Sequence, residues 1–174
     1  LDLRTYVVTR FPLGYNVCAP PRETIRWSPD NEYILFHCRP NTITSELNGL
    51  QMWHIDTNTI ERLYEPIGFE LVPYSWSPNG EYLSIINNGV VVIINIPTRQ
   101  VLRPSSTEQA YSAMQWSPQG DKLALTAQNR LFIYDIPSRT TTPILEDVDS
   151  GSAYWSPNGE WIATISQKAG YSTV

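Results

Sequence analysis

Side chains that could carry chemistry are few in this sequence of 174 residues. The two histidines, His37 and His54, stand in segments typical of strands, with no carboxylate or cysteine at the spacing of metal ligands. The segment Gly170–Val174 resembles the G-x-S-x-G nucleophile elbow of hydrolases but lacks its last glycine. We therefore predict no catalytic residue, no enzymatic activity and no cofactor.

The acidic run Glu146–Gly151 is a candidate calcium loop, because alternating carboxylates can converge on one ion. However, it has three carboxylates, no further acid at the later positions of such a loop, and no counterpart elsewhere in the chain. A solvated loop is the better interpretation, and we predict no metal site.

The chain contains two cysteines, Cys18 and Cys38. Cys18 precedes the first predicted strand and Cys38 ends the next, so in an antiparallel pair both lie at the same edge. A disulfide between them would close a loop of about 20 residues and contribute about 3 kcal/mol. The alternative is two free, buried thiols.

A repeat organises the sequence. Each copy contains a Trp-Ser-Pro triplet followed by turn residues such as Asn-Gly, which favour a hairpin built from a type I turn and a bulge. Two residues before each tryptophan lie Ile25, Tyr74, Met114 and Ala153, which we predict to be core between successive units. Four segments align without gaps: Ile25–Phe36, Tyr74–Ile85, Met114–Leu125 and Ala153–Thr164.

Each triplet is followed by an apolar second strand, a nearly continuous apolar third strand, a polar turn residue and a fourth strand. We align Asp56, Asn95 and Asp135 as that turn residue. The first repeat carries about ten extra residues, which we place at Arg39–Asn48. Four antiparallel strands in roughly 40 residues, repeated, predict an all-β protein built from the blades of a β-propeller.

The Trp-Ser-Pro hairpins and the strands after them resemble the TolB-type, WD-repeat-like β-propeller family, with its W/F-S-P-D-G hairpin, from about Thr24 to Val174. The first repeat departs from that motif with Pro-Asp-Asn and the third with Pro-Gln-Gly, which leaves the inferred fold unchanged. The resemblance implies blades at about 24–63, 73–103, 113–145 and 152–174, the last one incomplete. We expect a single propeller, or a part of one, over residues 1–174. A truncated larger propeller is favoured over assembly with other chains, and over a four-bladed ring closed by Leu3–Val8.

Composition and charge exclude some classes of function and favour others. A net charge of −5 argues against a nucleic-acid binder, and no apolar run approaches the ~20 residues that span a bilayer. Few lysines beside abundant serine, threonine and asparagine favour a periplasmic or extracellular protein, with the cytoplasm as the alternative.

The connections on one face of the predicted disc vary between repeats, and variable loops on a rigid scaffold are where binding usually occurs. Aromatic and arginine side chains there are our candidate partner contacts: Arg39, Tyr64, Phe69 and Tyr111. The sequence thus predicts a non-catalytic scaffold that binds other protein chains or peptides. Alternatives are the propeller portion of a larger enzyme, such as a prolyl-oligopeptidase-like peptidase, and a structural subunit of a surface or membrane-associated assembly.

Overall fold

The computed structural model describes residues 8, 25–38, 48–65, 72–104, 110–168 and 171–173. The chain divides into two compact units, Leu1–Leu71 and Val72–Val174. The regular elements of the described residues are all β-strands, which confirms the all-β prediction. Over the same part of the chain, no helix is long and apolar enough to cross a membrane.

The first unit contains one four-stranded antiparallel sheet, blade 1, in the order β1-β2-β3-β4. Register pairs Tyr33 with His54 and Cys38 with Gly49. Ten residues, 39–48, therefore connect β2 to β3, which locates the extra length of the first repeat where we predicted it. The strands are β1 (Arg26–Trp27), β2 (Tyr33–Cys38), β3 (Gly49–His54) and β4 (Thr59–Tyr64).

The second unit contains two sheets of the same kind, blades 2 and 3, each with its strands paired in sequence order. The predicted repeat of four-stranded antiparallel blades is thus confirmed in three copies. Blade 2 consists of β5 (Tyr74–Trp76), β6 (Tyr82–Asn87), β7 (Val90–Asn95) and β8 (Val101–Leu102). Blade 3 consists of β9 (Ala113–Trp116), β10 (Lys122–Ala127), β11 (Arg130–Asp135) and β12 (Thr140–Glu146).

The fourth repeat forms two separate two-stranded sheets, β13-β14 and β15-β16. We predicted an apolar second strand after each triplet, but in this repeat β14 covers only two residues of the apolar segment Trp161–Ile165. The strands are β13 (Tyr154–Trp155), β14 (Ile162–Ala163), β15 (Ser166–Lys168) and β16 (Tyr171–Thr173).

Turn chemistry explains the departure. In blades 2 and 3 the second and third strands are joined by Asn88–Gly89 and Gln128–Asn129, and all four residues have positive φ. Such type I′ turns favour Gly and Asn. The matching positions of the fourth repeat are Gln167–Lys168, which contain neither. Instead, β15 pairs with β16 across residues 169–170, which include Gly170.

The Ser-Pro hairpins have the predicted form. In blade 2, Ser77 Oγ accepts a hydrogen bond from the Tyr82 N–H at 2.9 Å and donates one to Asn79 Oδ1 at 2.6 Å. The Gly80 N–H donates to the Ser77 carbonyl at 2.9 Å, and Gly80 adopts a φ of 74°. Asn31 takes the glycine position of blade 1 with a φ of 65°.

Within the second unit, the tryptophan of the third and of the fourth triplet joins its repeat to the inner strand of the repeat before it. Trp116 donates its indole N–H to Ser84 Oγ at 2.9 Å and to the Ser75 carbonyl oxygen at 3.2 Å. Trp155 donates in the same way to the Gln115 carbonyl oxygen at 3.2 Å. The main core of the second unit lies between blades 2 and 3 and is formed by the following buried residues: Ile86, Val91, Ile93, Leu102, Tyr111, Trp116, Leu123, Leu125, Ala127, Phe132, Tyr134 and Ile136.

Two details of the sequence alignment are corrected. Ile25, predicted as core, is 43% exposed, whereas its counterpart Ala153 is buried. The residue of blade 1 that matches Asn95 and Asp135 is His54 rather than Asp56, because each of the three pairs with the first residue of the second strand.

Candidate functional site

The four predicted partner contacts do not form one described surface. Arg39 and Phe69 lie outside the described residues. Tyr64 is half-buried at the end of β4, opposite Leu50 of β3, and its contact with a partner stays a prediction.

Tyr111 was predicted as a partner contact, and the structure corrects this. Its side chain is 4% exposed and packs edge-on against Phe132, with ring centroids 6.1 Å apart. Its backbone N–H donates to the Gly89 carbonyl oxygen at 2.8 Å. The ring of Tyr111 is therefore part of the core between blades 2 and 3.

Cys38 is fully buried at the end of β2 and is disulfide-bonded. It packs in a small core cluster with Phe36 and Trp53. The other cysteine of the chain, Cys18, lies outside the described residues, so the Cys18–Cys38 pairing stays a prediction.

The two histidines take structural positions. His37 is buried within β2, and His54 Nε2 lies 2.8 Å from Glu61 Oε1 on the neighbouring strand β4. No group of three or more metal-ligating side chains occurs among the described residues. Within the acidic run, Glu146 forms an ion pair with Arg130 at 2.7 Å, and Val148 is buried between its acidic neighbours.

A groove of about 790 Å³ with a largely apolar lining lies wholly in the second unit. We call it the outer groove. Its floor is the outer part of blade 3, and its wall is the hairpin β13-β14 with the turn between those strands. Aliphatic and indole side chains line it: Leu131, Ile133, Ile144, Trp155, Trp161 and Ile162.

The floor of the outer groove is a surface of blade 3, and the equivalent surface of blade 2 is covered by the next blade. Ile93 and Leu102 of blade 2 are 0% and 7% exposed, within the core cluster that includes residues of β11. Their counterparts in blade 3, Ile133 and Thr142, are half-buried and exposed. This part of blade 3 is uncovered because β16 pairs with β15 and does not extend the sheet β13-β14.

Charged side chains border the outer groove. The Lys122 ammonium lies 3.1 Å from Asp121 Oδ2. Burial alone would raise the pKa of Asp121, but hydrogen bonds from Ser117 and Lys122 and the Lys122 charge outweigh it and lower that pKa. An apolar floor with a charged rim is the arrangement found at protein interfaces.

A smaller cavity of about 210 Å³ lies beside the inner strands β9 and β13. Thr126, Gln115 and Tyr154 contribute its polar side chains, and Met114 with small residues supplies the rest. It combines no nucleophile with a base, so its lining offers no evident chemistry.

Sequence reasoning missed the outer groove because it assigned the fourth repeat the register of the others. A signal was present: the repeat lacks Gly or Asn at Gln167–Lys168 and offers Gly170 three residues after Gln167. This change of turn position predicts that the last two strands pair with each other, which leaves the outer part of blade 3 uncovered.

Comparison with known proteins shows the fold of this chain. No model of a known protein family matches the chain, and no curated protein sequence matches it significantly. The chain is similar to the crystal structure of TolB from Acinetobacter baumannii, with a TM-score of 0.57 and 17% sequence identity. The match covers 87% of this chain and 39% of the TolB chain, so this chain spans less than half the length of that relative. At this level of identity, the likeness establishes a TolB-like β-propeller fold.

Proposed function

We propose that this chain is a non-catalytic protein–protein interaction module that binds an extended segment of a partner protein in the outer groove. The observation that supports the proposal is the exposure of apolar side chains there: Ile144 is 54% exposed and Trp161 is 74% exposed. Grooves of this kind, rimmed by polar residues, typically mark interaction sites.

The packing between blades 2 and 3 suggests which kind of segment would bind in the outer groove. There the equivalent surface is packed against β11, which directs Phe132 and Tyr134 into the core. Because β14 pairs only with β13 in its sheet, its second edge can accept a strand in the same way. The occupant we propose is therefore a β-strand with aromatic side chains at alternate positions.

The disulfide at Cys38 supports a location outside the cytoplasm, because disulfides persist in oxidising compartments. We therefore extend the proposal to a periplasmic or extracellular protein.

The test uses a peptide with the sequence of β11, residues 130–135, as the probe. We expect it to bind saturably and to change the fluorescence of the groove tryptophans. A peptide of the same composition with its two aromatic residues adjacent is the control, because adjacent side chains point to opposite faces of a strand.

Thr142→Arg places a long, charged side chain in the outer groove and should abolish peptide binding. The matched control is Val101→Arg, which changes an exposed residue of the edge strand of blade 2, outside the groove. Equal binding of the two peptides, or unchanged binding by Thr142→Arg, would refute the proposal.

A further inference from the structure

We propose that the cavity beside the inner strands β9 and β13 binds a small, neutral aromatic molecule with one hydroxyl group, that is, a phenol. The cavity has a volume of about 210 Å³ and lies wholly within the second unit. Because its lining pairs no nucleophile with a base, the proposal concerns binding and includes no reaction. It does not depend on the outer groove or on the peptide proposed to bind there.

The cavity is a space that the repeat fills with larger side chains between blades 2 and 3. There Met114, two residues before its tryptophan, packs against the core cluster that contains the buried Ile86. The counterparts in the cavity lining are Ala153 and Thr126. Each counterpart stands at the same distance from its Trp-Ser-Pro triplet as the residue that it matches.

Both departures from the repeat cost stability. A cavity loses the packing of the missing atoms, and a hydroxyl group in a core position needs a hydrogen-bond partner. Thr126 is 2% exposed and lies in the cavity wall. Departures of this kind from an otherwise consistent pattern are typical of functional sites.

The hydroxyl group of Thr126 has a proton that a ligand can accept. Its Oγ1 accepts a hydrogen bond from the Gly151 N–H at 3.2 Å, and Gly151 also lines the cavity. Ser112 Oγ lies 3.4 Å from Thr126 Oγ1 and donates its own proton to the Thr126 carbonyl oxygen at 3.1 Å. Among the described residues, the Thr126 proton therefore has only this long contact with Ser112. A ligand oxygen at about 2.8 Å would be a better acceptor.

Size and charge select the ligand. A cavity of about 150 Å³ can hold benzene, so about 210 Å³ accommodates one aromatic ring with a small substituent. The described residues that line the cavity carry no charged side chain, so an ion would lose its hydration there without compensation. The thioether of Met114 and the ring of Tyr154, both in the lining, favour an aromatic ligand.

The first experiment titrates the 174-residue chain with phenol and measures binding by calorimetry and NMR. We expect saturable binding at millimolar concentrations or below, with shifts of the Met114 and Ala153 methyl signals. Benzoate has the same ring with a negative charge, and N-acetyl-tyrosinamide carries the phenol ring on a peptide backbone that exceeds the cavity. Neither should bind. Binding of either control as tightly as phenol, or no saturable binding of phenol, would overturn the proposal.

Ala153→Met tests the location of the site. It places in the cavity the side chain that the repeat carries at Met114, and it should weaken phenol binding by at least about tenfold. The matched control is Ala163→Met, because Ala163 is exposed on β14 and does not line the cavity. Thermal melting confirms that both variants fold. Unchanged phenol binding by Ala153→Met would place the site elsewhere and overturn the proposal.

Thr126→Val tests recognition of the hydroxyl group. Valine has nearly the shape of threonine but donates no hydrogen bond, so the affinity for phenol should fall about two- to tenfold. Toluene fills the same space without a hydroxyl group and reports any change in the cavity itself, so its affinity should stay the same. Equal changes for the two ligands would refute the assignment of a phenol.

The result is separable from the peptide test. Thr142→Arg changes the outer groove and should leave phenol binding intact. Thr126→Val should leave binding of the residue 130–135 peptide intact. A cavity that binds no phenol leaves the proposed function standing, and a groove that binds no peptide leaves the phenol site standing.

Discussion

At the scale of single residues, Asp135 organises the turn that follows β11. Its Oδ1 accepts hydrogen bonds from the Ser138 hydroxyl at 2.7 Å and the Ser138 N–H at 2.9 Å. These bonds lower the pKa of Asp135 below its ordinary value of 3.8. Asn95 makes the equivalent bonds to Thr98 in blade 2, so a neutral amide oxygen can also accept both bonds.

Substitution of Asp135 tests how this turn contributes to the stability of the chain in acid. Because its pKa is lower in the folded chain, the ionised form stabilises the fold above the unfolded pKa, and that contribution is lost as the pH falls through the folded value. Asp135→Asn should therefore lose part of this stabilisation at neutral pH, because a neutral amide oxygen is a weaker acceptor than a carboxylate, and should lose less further stability below pH 3.8. Asp135→Ala should cost about 1 kcal/mol at neutral pH. Urea unfolding at both pH values measures this, and identical acid sensitivity of Asp135→Asn would contradict it.

A second prediction at this scale concerns the buried indole of Trp116. Trp116→Phe keeps an aromatic ring but removes the N–H that donates to the fully buried Ser84 hydroxyl, which keeps its own bond to the Ser75 carbonyl oxygen. The loss of this one hydrogen bond should cost about 0.5–1.5 kcal/mol of unfolding free energy. Trp155→Phe is the matched control, because that indole is less buried and donates to a carbonyl oxygen at 3.2 Å. Equal losses in denaturant unfolding would show that burial of the hydrogen bond does not matter.

At the scale of elements, the Ser-Pro hairpins place conformational demands on one position. Gly120 has a φ of 75°, and a Cβ there would overlap the Asn79 side chain of the preceding hairpin. Gly120→Ala should therefore destabilise the chain by at least about 1 kcal/mol. Asn31→Gly should stabilise it by up to about 1 kcal/mol, because Asn31 holds a φ of 65° at the same position. Denaturant unfolding compares the two, and a shift of the same sign in both would contradict the argument.

The elements also show what a sequence can predict here. Hairpins and second strands were predictable wherever Ser-Pro, Asn-Gly and alternating apolar residues act within a few positions of one another. The later strands of the fourth repeat were not, because their pairing depends on competition between two possible turn positions, Gln167–Lys168 and residues 169–170. The outer groove exists because of this strand pairing, so it could not be predicted either. Tyr111 was misassigned because its burial is set by packing between blades rather than by its own segment.

At the scale of the whole molecule, the repeat predicts the kind of surface that each blade buries, but not which of these surfaces remains exposed to solvent. That depends on contacts with neighbours, and exposure reveals it at Trp27 and Trp161.

The disulfide supplies the last prediction at this scale. Cys38 ends β2 and is fully buried, so cross-linking it restricts the unfolded chain more than it changes the folded one. We expect reduction to lower the free energy of unfolding by about 3 kcal/mol. Cys18→Ala should have the same effect without altering the packing around Cys38.

The measurement is denaturant unfolding with and without dithiothreitol, combined with a count of alkylated thiols by mass spectrometry. Unreduced, unfolded native chain should take up no alkylating reagent, and reduced chain should take it up at both cysteines. Dithiothreitol should leave the stability of Cys18→Ala unchanged, because that variant has no intramolecular disulfide to lose. A native chain whose stability is insensitive to dithiothreitol would remove both the predicted pairing and the physical argument for an oxidising compartment.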